Sequence, residues 1–497
     1  IKAFSAASNQ GKPKNLDDFV KDQIDPSLES SLGVTFTDDI KPWIGAHFDL
    51  AAFGSPFATG SNSNASKIVL LVESRDQAKT DAFVTKLMDA QTRKLRLTWS
   101  DSSYKDVTIH EGKYPYGSSS MVLARSGKIF LMSTDEGALE QVIDTQKSGK
   151  NSLADAPEYR LLAGKLPGSR ALMVYLGADA LKGVSGQSLP ALYGQGVGGV
   201  QGGYLNAVKG MAFSVMAVKE GIRFDSAVAY DENKLTGYQR TMLAAADTAE
   251  DIQRMPDNTL AFIRGQRLDL AWTVYRDSMA GASPGMGFDD TMAQIEKQTG
   301  VNPDKDLFPY LSGDWSLVLL PDKDGFLAKS GTDIGFAFLS NTNNETKLKG
   351  TIAALNSYFQ SQNKMVSVSS VRIADIDAFT ASAAGGGNGQ LIAVYGVGQS
   401  HLTIASSSRV FEDLNNGGSS IADADLYKRA WAGLPSGLSP VEYVDVQGLY
   451  QLLVTPALEK QLAGIANILK PIRTIAAGSR AAGGGVYLQA VLIAINE

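Results

Sequence analysis

Apolar residues alternate with small or polar ones at Phe48, Leu50 and Ala52. A period of two marks a strand with one buried face. The stretch around it, Asp39–Phe53 (DIKPWIGAHFDLAAF), returns as Asp306–Leu320 (DLFPYLSGDWSLVLL). Elsewhere the period lengthens to that of a helix. Phe83, Val84, Leu87 and Met88 fall on one stripe of Asp76–Gln91, and Leu348, Ile352, Leu355 and Phe359 on one stripe of Glu345–Phe359. The core expected from these patterns contains Phe48, Leu50, Phe83, Leu87, Trp315, Leu317, Ile352 and Leu355.

Taken in order, Ile1–Lys14 predicts a frayed strand and loop, and Leu16–Leu32 a helix broken near Pro26. Gly54–Ser66, rich in Gly, Ser and Asn, predicts a solvated loop. Strands are expected at Ile68–Glu73, Arg96–Trp99, Val107–His110, Ser120–Ala124 and Lys128–Ser133, with a short helix at Glu136–Thr145. Asp155-Ala-Pro-Glu158 opens a further helix, Asp155 standing where it can accept the free N–H groups of the first turn. Ala171–Leu176 predicts a strand, Leu181–Gly203 a Gly-rich connection, and Met211–Lys219 with Ile222–Tyr230 a hairpin.

The pattern then restarts. Thr259–Ile263 and Leu268–Tyr275 predict strands, and Asp289–Gln298 a helix. Trp315–Leu320 and Ile334–Leu339 repeat the first strand pair. Val366–Ile373, Leu391–Tyr395 and His401–Ala405 repeat the next strands, and the hairpin Ile472–Ala477 with Val486–Ile495 mirrors the earlier one. Pro42, Trp43, Phe48 and Leu50 match Pro309, Tyr310, Trp315 and Leu317 at an offset of 267; Asp155, Tyr159 and Pro167 match Asp423, Tyr427 and Pro435 at 268. The offset drifts only in loops, which tolerate insertion. The expected fold is α+β: a tandem duplication of one unit, each a mainly antiparallel sheet with helices packed on it. The first copy spans 1–235 and the second 236–497.

The second copy opens with Met255–Ile263, a Pro-Asp turn feeding a strand, and its counterpart would fall before Ile1. The first copy is therefore expected to lack this strand and to present a sheet edge with unpaired N–H and C=O groups. Either the natural chain extends upstream, the favoured expectation, or a strand from another protein fills the gap. The chain starts at Ile1 without Met or signal peptide, which predicts a processed or incomplete N-terminus.

Composition narrows the function. The 497 residues carry a net charge of −6 and a pI near 5.4, with no basic face for a phosphate backbone, so nucleic acid is not an expected partner. The absence of Cys removes disulfides, thiolate catalysis and iron–sulfur ligation. No apolar run reaches the roughly 18 residues of a spanning helix.

Motifs that resemble chemistry dissolve on inspection. Gly194–Gly199 fits GxGxxG but follows Gly- and Pro-containing sequence where a strand is required, and reads as a linker. Gly281–Gly285 fits GxSxG, but the residue after Ser283 is Pro284, which has no N–H for an oxyanion. His47, His110 and His401 have no metal-ligand spacing. Asp155 and Asp423 read as helix caps, Trp43 and Tyr310 as packing aromatics. The sequons at Asn64 and Asn344 read as loop residues. No catalytic, cofactor-binding or metal residue is expected, and no cofactor.

The order of Pro42-Trp-Ile-Gly45, the strand and helix that follow, Tyr104-Lys-Asp-Val-Thr-Ile109, Ser133-Thr-Asp-Glu136, Ser152-Leu-Ala-Asp155 and Leu166-Pro167 resembles the bacterial family catalogued as domain of unknown function 3352. The likeness covers nearly the whole chain. It implies an extracytoplasmic protein, at the periplasm or cell surface, with a signal or membrane anchor upstream of Ile1. The expected function is non-enzymatic: surface docking or assembly with protein partners or with itself. The alternatives are a carrier of a lipid or other apolar ligand, and a hydrolase with its site between the copies.

Overall fold

The computed structural model describes residues 16–54, 67–116, 120–181, 205–244, 249–282, 288–328, 331–362, 366–383, 391–454 and 469–495. Ile1–Lys14, most of Gly54–Ser66, Gly194–Gly199, Pro284 and Asn64 lie outside them. The chain is α+β, and its two compact units comprise residues 1–163 with 176–185, and 164–175 with 186–497.

The first unit holds a six-stranded antiparallel sheet: β1 (Ile44–Phe53), β2 (Lys67–Ser74), β3 (Thr98–Tyr104), β4 (Val107–Lys113), β5 (Ser120–Ser126) and β6 (Ile129–Ser133). Their spatial order is β1-β2-β6-β5-β4-β3. Helices cover both faces. Phe83, Val84 and Leu87 of the helix Gln77–Leu95 pack with Trp43, Val72, Leu123 and Phe130. On the other face, Leu139 and Ile143 of the helix Glu136–Ser148 pack with Val69, Ile109, Val122 and Leu131. This explains why β5 and β6 read as nearly continuous apolar runs: a strand covered twice needs apolar residues at every position.

The second unit carries a 13-stranded antiparallel sheet. Its strands are β7 (Leu172–Gly177), β8 (Val208–Val218), β9 (Gly221–Tyr230), β10 (Ala261–Gln266), β11 (Asp314–Pro321), β12 (Ile334–Asn341), β13 (Val366–Ile373), β14 (Ile376–Ala383), β15 (Leu391–Gly398), β16 (His401–Ala405), β17 (Ser439–Asp445), β18 (Ile472–Ala481) and β19 (Val486–Ile495). The order is β13-β14-β15-β16-β12-β11-β10-β17-β18-β19-β9-β8-β7. Its first six strands run in the same order as the first unit's sheet read from β3 to β1. Beyond β11, however, the sheet continues into β10. Leu348 and Ile352 of the helix Glu345–Gln362 cover one face of this sheet. Phe411 and Leu414 of the helix Ser408–Asn415, together with Phe262, Val318, Leu320 and Tyr427, fill the other.

The two stretches flagged by sequence carry matching turns. Gly33 and Gly300 both take left-handed backbone, at φ 76° and 71°. Asp39 accepts a hydrogen bond from the Thr35 N–H at 2.8 Å, and Asp306 accepts one from the Asn302 N–H at 2.8 Å. Each loop then makes a π-helical turn, Phe36–Ile40 and Pro303–Leu307.

Several expectations need correction. Leu268–Tyr275 is not a strand but the start of the helix Leu268–Ala282. Leu268, Ala271, Trp272 and Tyr275 repeat at helical spacing, and Trp272 stacks on Phe308 with ring centroids 4.0 Å apart. Asp423 does not cap its helix. The N-cap position is Ala424, without a side-chain cap, and Asp423 pairs with Lys428 at 3.4 Å. The serines three residues before Asp155 and Asp423 cap the short 3-10 turns that precede the helices, Leu153–Asp155 and Ile421–Asp423: Ser152 and Ser420 accept the N–H groups of Ala154 and Ala422.

The core expectation holds for Phe83, Leu87 and Ile352, which are buried, while Leu355 is half-buried. It fails for Phe48, Leu50 and Leu317, which are 62%, 65% and 49% exposed, and Trp315 is only half-buried. In β11 the covered residues are those of the opposite face, Ser316, Val318 and Leu320. Alternation shows which residues share a face. Coverage of that face depends on what packs over it.

Candidate docking edge

β1 is the edge strand of the first unit's sheet. Its inner edge pairs with β2 in antiparallel register, Phe48 opposite Val72 and Leu50 opposite Leu70. Among the described residues nothing pairs with its outer edge. Val72 and Leu70 belong to the cluster under the helix Gln77–Leu95. Phe48 and Leu50 project from that same face, where they stay exposed. An uncharged apolar pair beside unpaired backbone groups is what soluble edges ordinarily avoid.

Charge lies on the alternate positions. Glu73 accepts from the backbone N–H groups of Ala46 and His47, and its Oε2 lies 2.8 Å from Nδ1 of His47. The Glu73 carboxylate raises the His47 imidazole above its ordinary value, and the imidazole lowers Glu73 in turn. Asp49 is exposed one residue further along.

In the second unit the strand alignable with β1, β11, has its outer edge filled by β10. The register sets Ala261 opposite Leu319, Phe262 opposite Val318, Ile263 opposite Leu317, Arg264 opposite Ser316 and Gly265 opposite Trp315. Arg264 is fully buried. Its Nε lies 3.1 and 3.0 Å from the two oxygens of Asp251, its Nη1 donates to the Pro440 carbonyl at 2.8 Å, and Nη2 reaches Asp314. Ser316 donates its hydroxyl to Asp251. Gly265 makes room for Trp315, whose ring would lie 2.8 Å from a Cβ at that position.

The sequence-flagged residues do not converge. His110 lies 2.7 Å from Asp101, and Asp155 takes a bond from Arg160. Trp43 is buried against Phe83 and Phe130, and Asn344 accepts the Lys347 N–H at the start of its helix. His401 is buried in the second unit near a shallow groove lined by Glu250, Arg254, Gln399 and Asn415; burial and the Arg254 charge lower its imidazole. Among the described residues no three His, Asp or Glu side chains are grouped to hold a metal ion, and no helix is long and apolar enough to cross a membrane. The edge itself is visible in sequence only through the 267-residue offset between Asp39–Phe53 and Asp306–Leu320. Its exposed Phe48 and Leu50 are not.

The chain belongs to the family described as "Protein of unknown function (DUF3352)", whose model matches residues 12–485. No curated protein and no solved structure matches it.

Proposed function

We propose that this member of the DUF3352 family is a non-enzymatic docking or assembly protein, acting outside the cytoplasm through the free edge of β1. The observation that carries the reading is the exposed pair Phe48 and Leu50 beside a strand edge that nothing pairs with among the described residues. An open edge is a template for another strand, and a protein that keeps one open with apolar side chains beside it invites a partner. The extracytoplasmic placement rests on the family resemblance.

The reading includes a tandem duplication of one antiparallel unit. It is supported by the strand order common to β1–β6 and β11–β16, by the paired glycines Gly33 and Gly300, and by the matching bonds to Asp39 and Asp306. On this alignment β10 has no counterpart among the described residues of the first unit.

The test is the mass of the native particle purified from its source under mild conditions. The expected particle holds more than one polypeptide, either several copies of this chain or this chain with a companion. A particle with the mass of a single chain contradicts the reading.

A further inference from the structure

We propose that the outer edge of β1 accepts an antiparallel strand from a separate polypeptide, with the pattern small–large apolar–large apolar–basic–glycine. The inference rests on the duplication and docking reading above, and it specifies the chemistry of the partner.

The template is β10. Transferring its register by the offset of 267 places Ala261 opposite Ala52, Phe262 opposite Ala51, Ile263 opposite Leu50, Arg264 opposite Asp49 and Gly265 opposite Phe48. Each position then has a physical reason. A large residue opposite Ala51 fills the space that this alanine leaves where the second unit has Val318, beside half-buried Phe53. An apolar residue opposite Leu50 extends the Phe48–Leu50 strip. Glycine opposite Phe48 accommodates the ring. The second unit uses this device at Gly265 under Trp315, and the first unit at Gly112 under Trp99, where a Cβ would also meet the indole at 2.8 Å.

The basic position is the most specific. In the second unit Arg264 is neutralised mainly by Asp251, with Asp314 behind it, and faces the neutral Ser316. The residue aligned with Ser316 is Asp49, a carboxylate on β1 itself. The partner's cation therefore meets its counter-ion directly across the strand pair, where opposite charges stabilise. Glu73 adds a second carboxylate nearby, shared with His47.

We assign the occupant to a separate polypeptide, since the segment of this pattern among the described residues, β10, is already engaged. β10 is paired on one side with β11 and on the other with β17, and Phe262 and Arg264 are buried there. Affinity comes chiefly from backbone pairing. Even with β10 alongside, Leu317 stays 49% exposed, against 65% for Leu50, so the added strand covers the apolar strip only in part.

The probe is a synthetic peptide with the sequence of Asn258–Arg267, labelled at its N-terminus and titrated with the full chain by fluorescence anisotropy. Hydrogen exchange across Ile44–Phe53 locates the complex. Expected are saturable binding and slowed exchange in β1. Reversing the charge in the peptide, Arg264→Glu, weakens it about fivefold, the scale of an exposed ion pair. The protein variant Asp49→Lys restores binding of the reversed peptide. Absence of saturable binding, a complex that leaves β1 exchange unchanged, or indifference to charge reversal overturns the inference. A native particle of several polypeptides combined with a failed peptide would leave the docking role standing and remove only the strand pattern.

Discussion

Gly265 lies directly under the indole of Trp315, its neighbour across the β10–β11 pair, and a Cβ there would come within 2.8 Å of the ring. Glycine is otherwise a poor strand residue, since it brings backbone entropy and no side chain to pack. Here the ring takes the place of the missing side chain. Gly265→Ala is expected to destabilise the fold by about 1–3 kcal/mol through overpacking. Urea unfolding checks it. An unchanged midpoint would mean that the indole can swing clear.

Arg264 ties three elements to β10: the turn at Asp251, the strand carrying Asp314, and the Pro440 carbonyl of β17. Arg264→Met should cost about 3–5 kcal/mol, because it strands the Asp251 carboxylate in a buried site. Adding Asp251→Leu should recover a large part of that loss. If the double variant proves no more stable than the single one, the charge pairing is not what the single variant removes.

Truncation should separate the covered positions from the exposed ones. Leu87→Ala should cost about 2–5 kcal/mol, since Leu87 is fully enclosed between the helix Gln77–Leu95 and the sheet. Leu50→Ala should change stability by no more than about 0.5 kcal/mol. Chemical denaturation of the isolated chain distinguishes them, and a large loss for Leu50 would place a cover over it.

His401 gives the second unit a pH dependence. It is buried, its Nδ1 faces the Gln399 carbonyl, and Arg254 repels its protonated form, against weaker attraction from Asp251 and Glu250. The folded imidazole therefore titrates below its ordinary value of 6.5. An unfolded chain then binds the proton that the folded one resists, so stability falls as pH drops through 6.5 and is untouched above it. Thermal unfolding of His401→Gln against the parent should show this acid limb flattened in the variant. Parallel profiles down to acid pH would contradict it.

Much of the fold was legible because local rules and tertiary packing agree. The helix stripe at Phe83, Val84 and Leu87 faces the sheet as its spacing requires, and the hairpin β8–β9 forms where expected, turning at Lys219 and Glu220 with Gly221 already in β9. Leu268–Tyr275 was misjudged because Trp, Thr, Val and Tyr favour strands, while the stacking of Trp272 on Phe308 favours the helix. In β11 the covered face is the one opposite to that expected, whereas in β1 Phe48 and Leu50 are exposed and so are His47 and Asp49 on the other face. A strand with apolar residues on one face looks the same in sequence whether a helix covers that face or a partner is still to come. The edge of β1 is legible only by comparison, through the likeness of Asp39–Phe53 to Asp306–Leu320.

The central claim is that the outer edge of β1 is open in the isolated chain and paired in its working state. Amide hydrogen exchange of Ile44–Phe53, compared between the isolated chain and the native assembly, tests it most directly. The outward amides of β1 should exchange quickly in the isolated chain and be protected in the assembly, with the amides paired to β2 slow in both. Equal exchange of the outward amides in the two states would contradict the account.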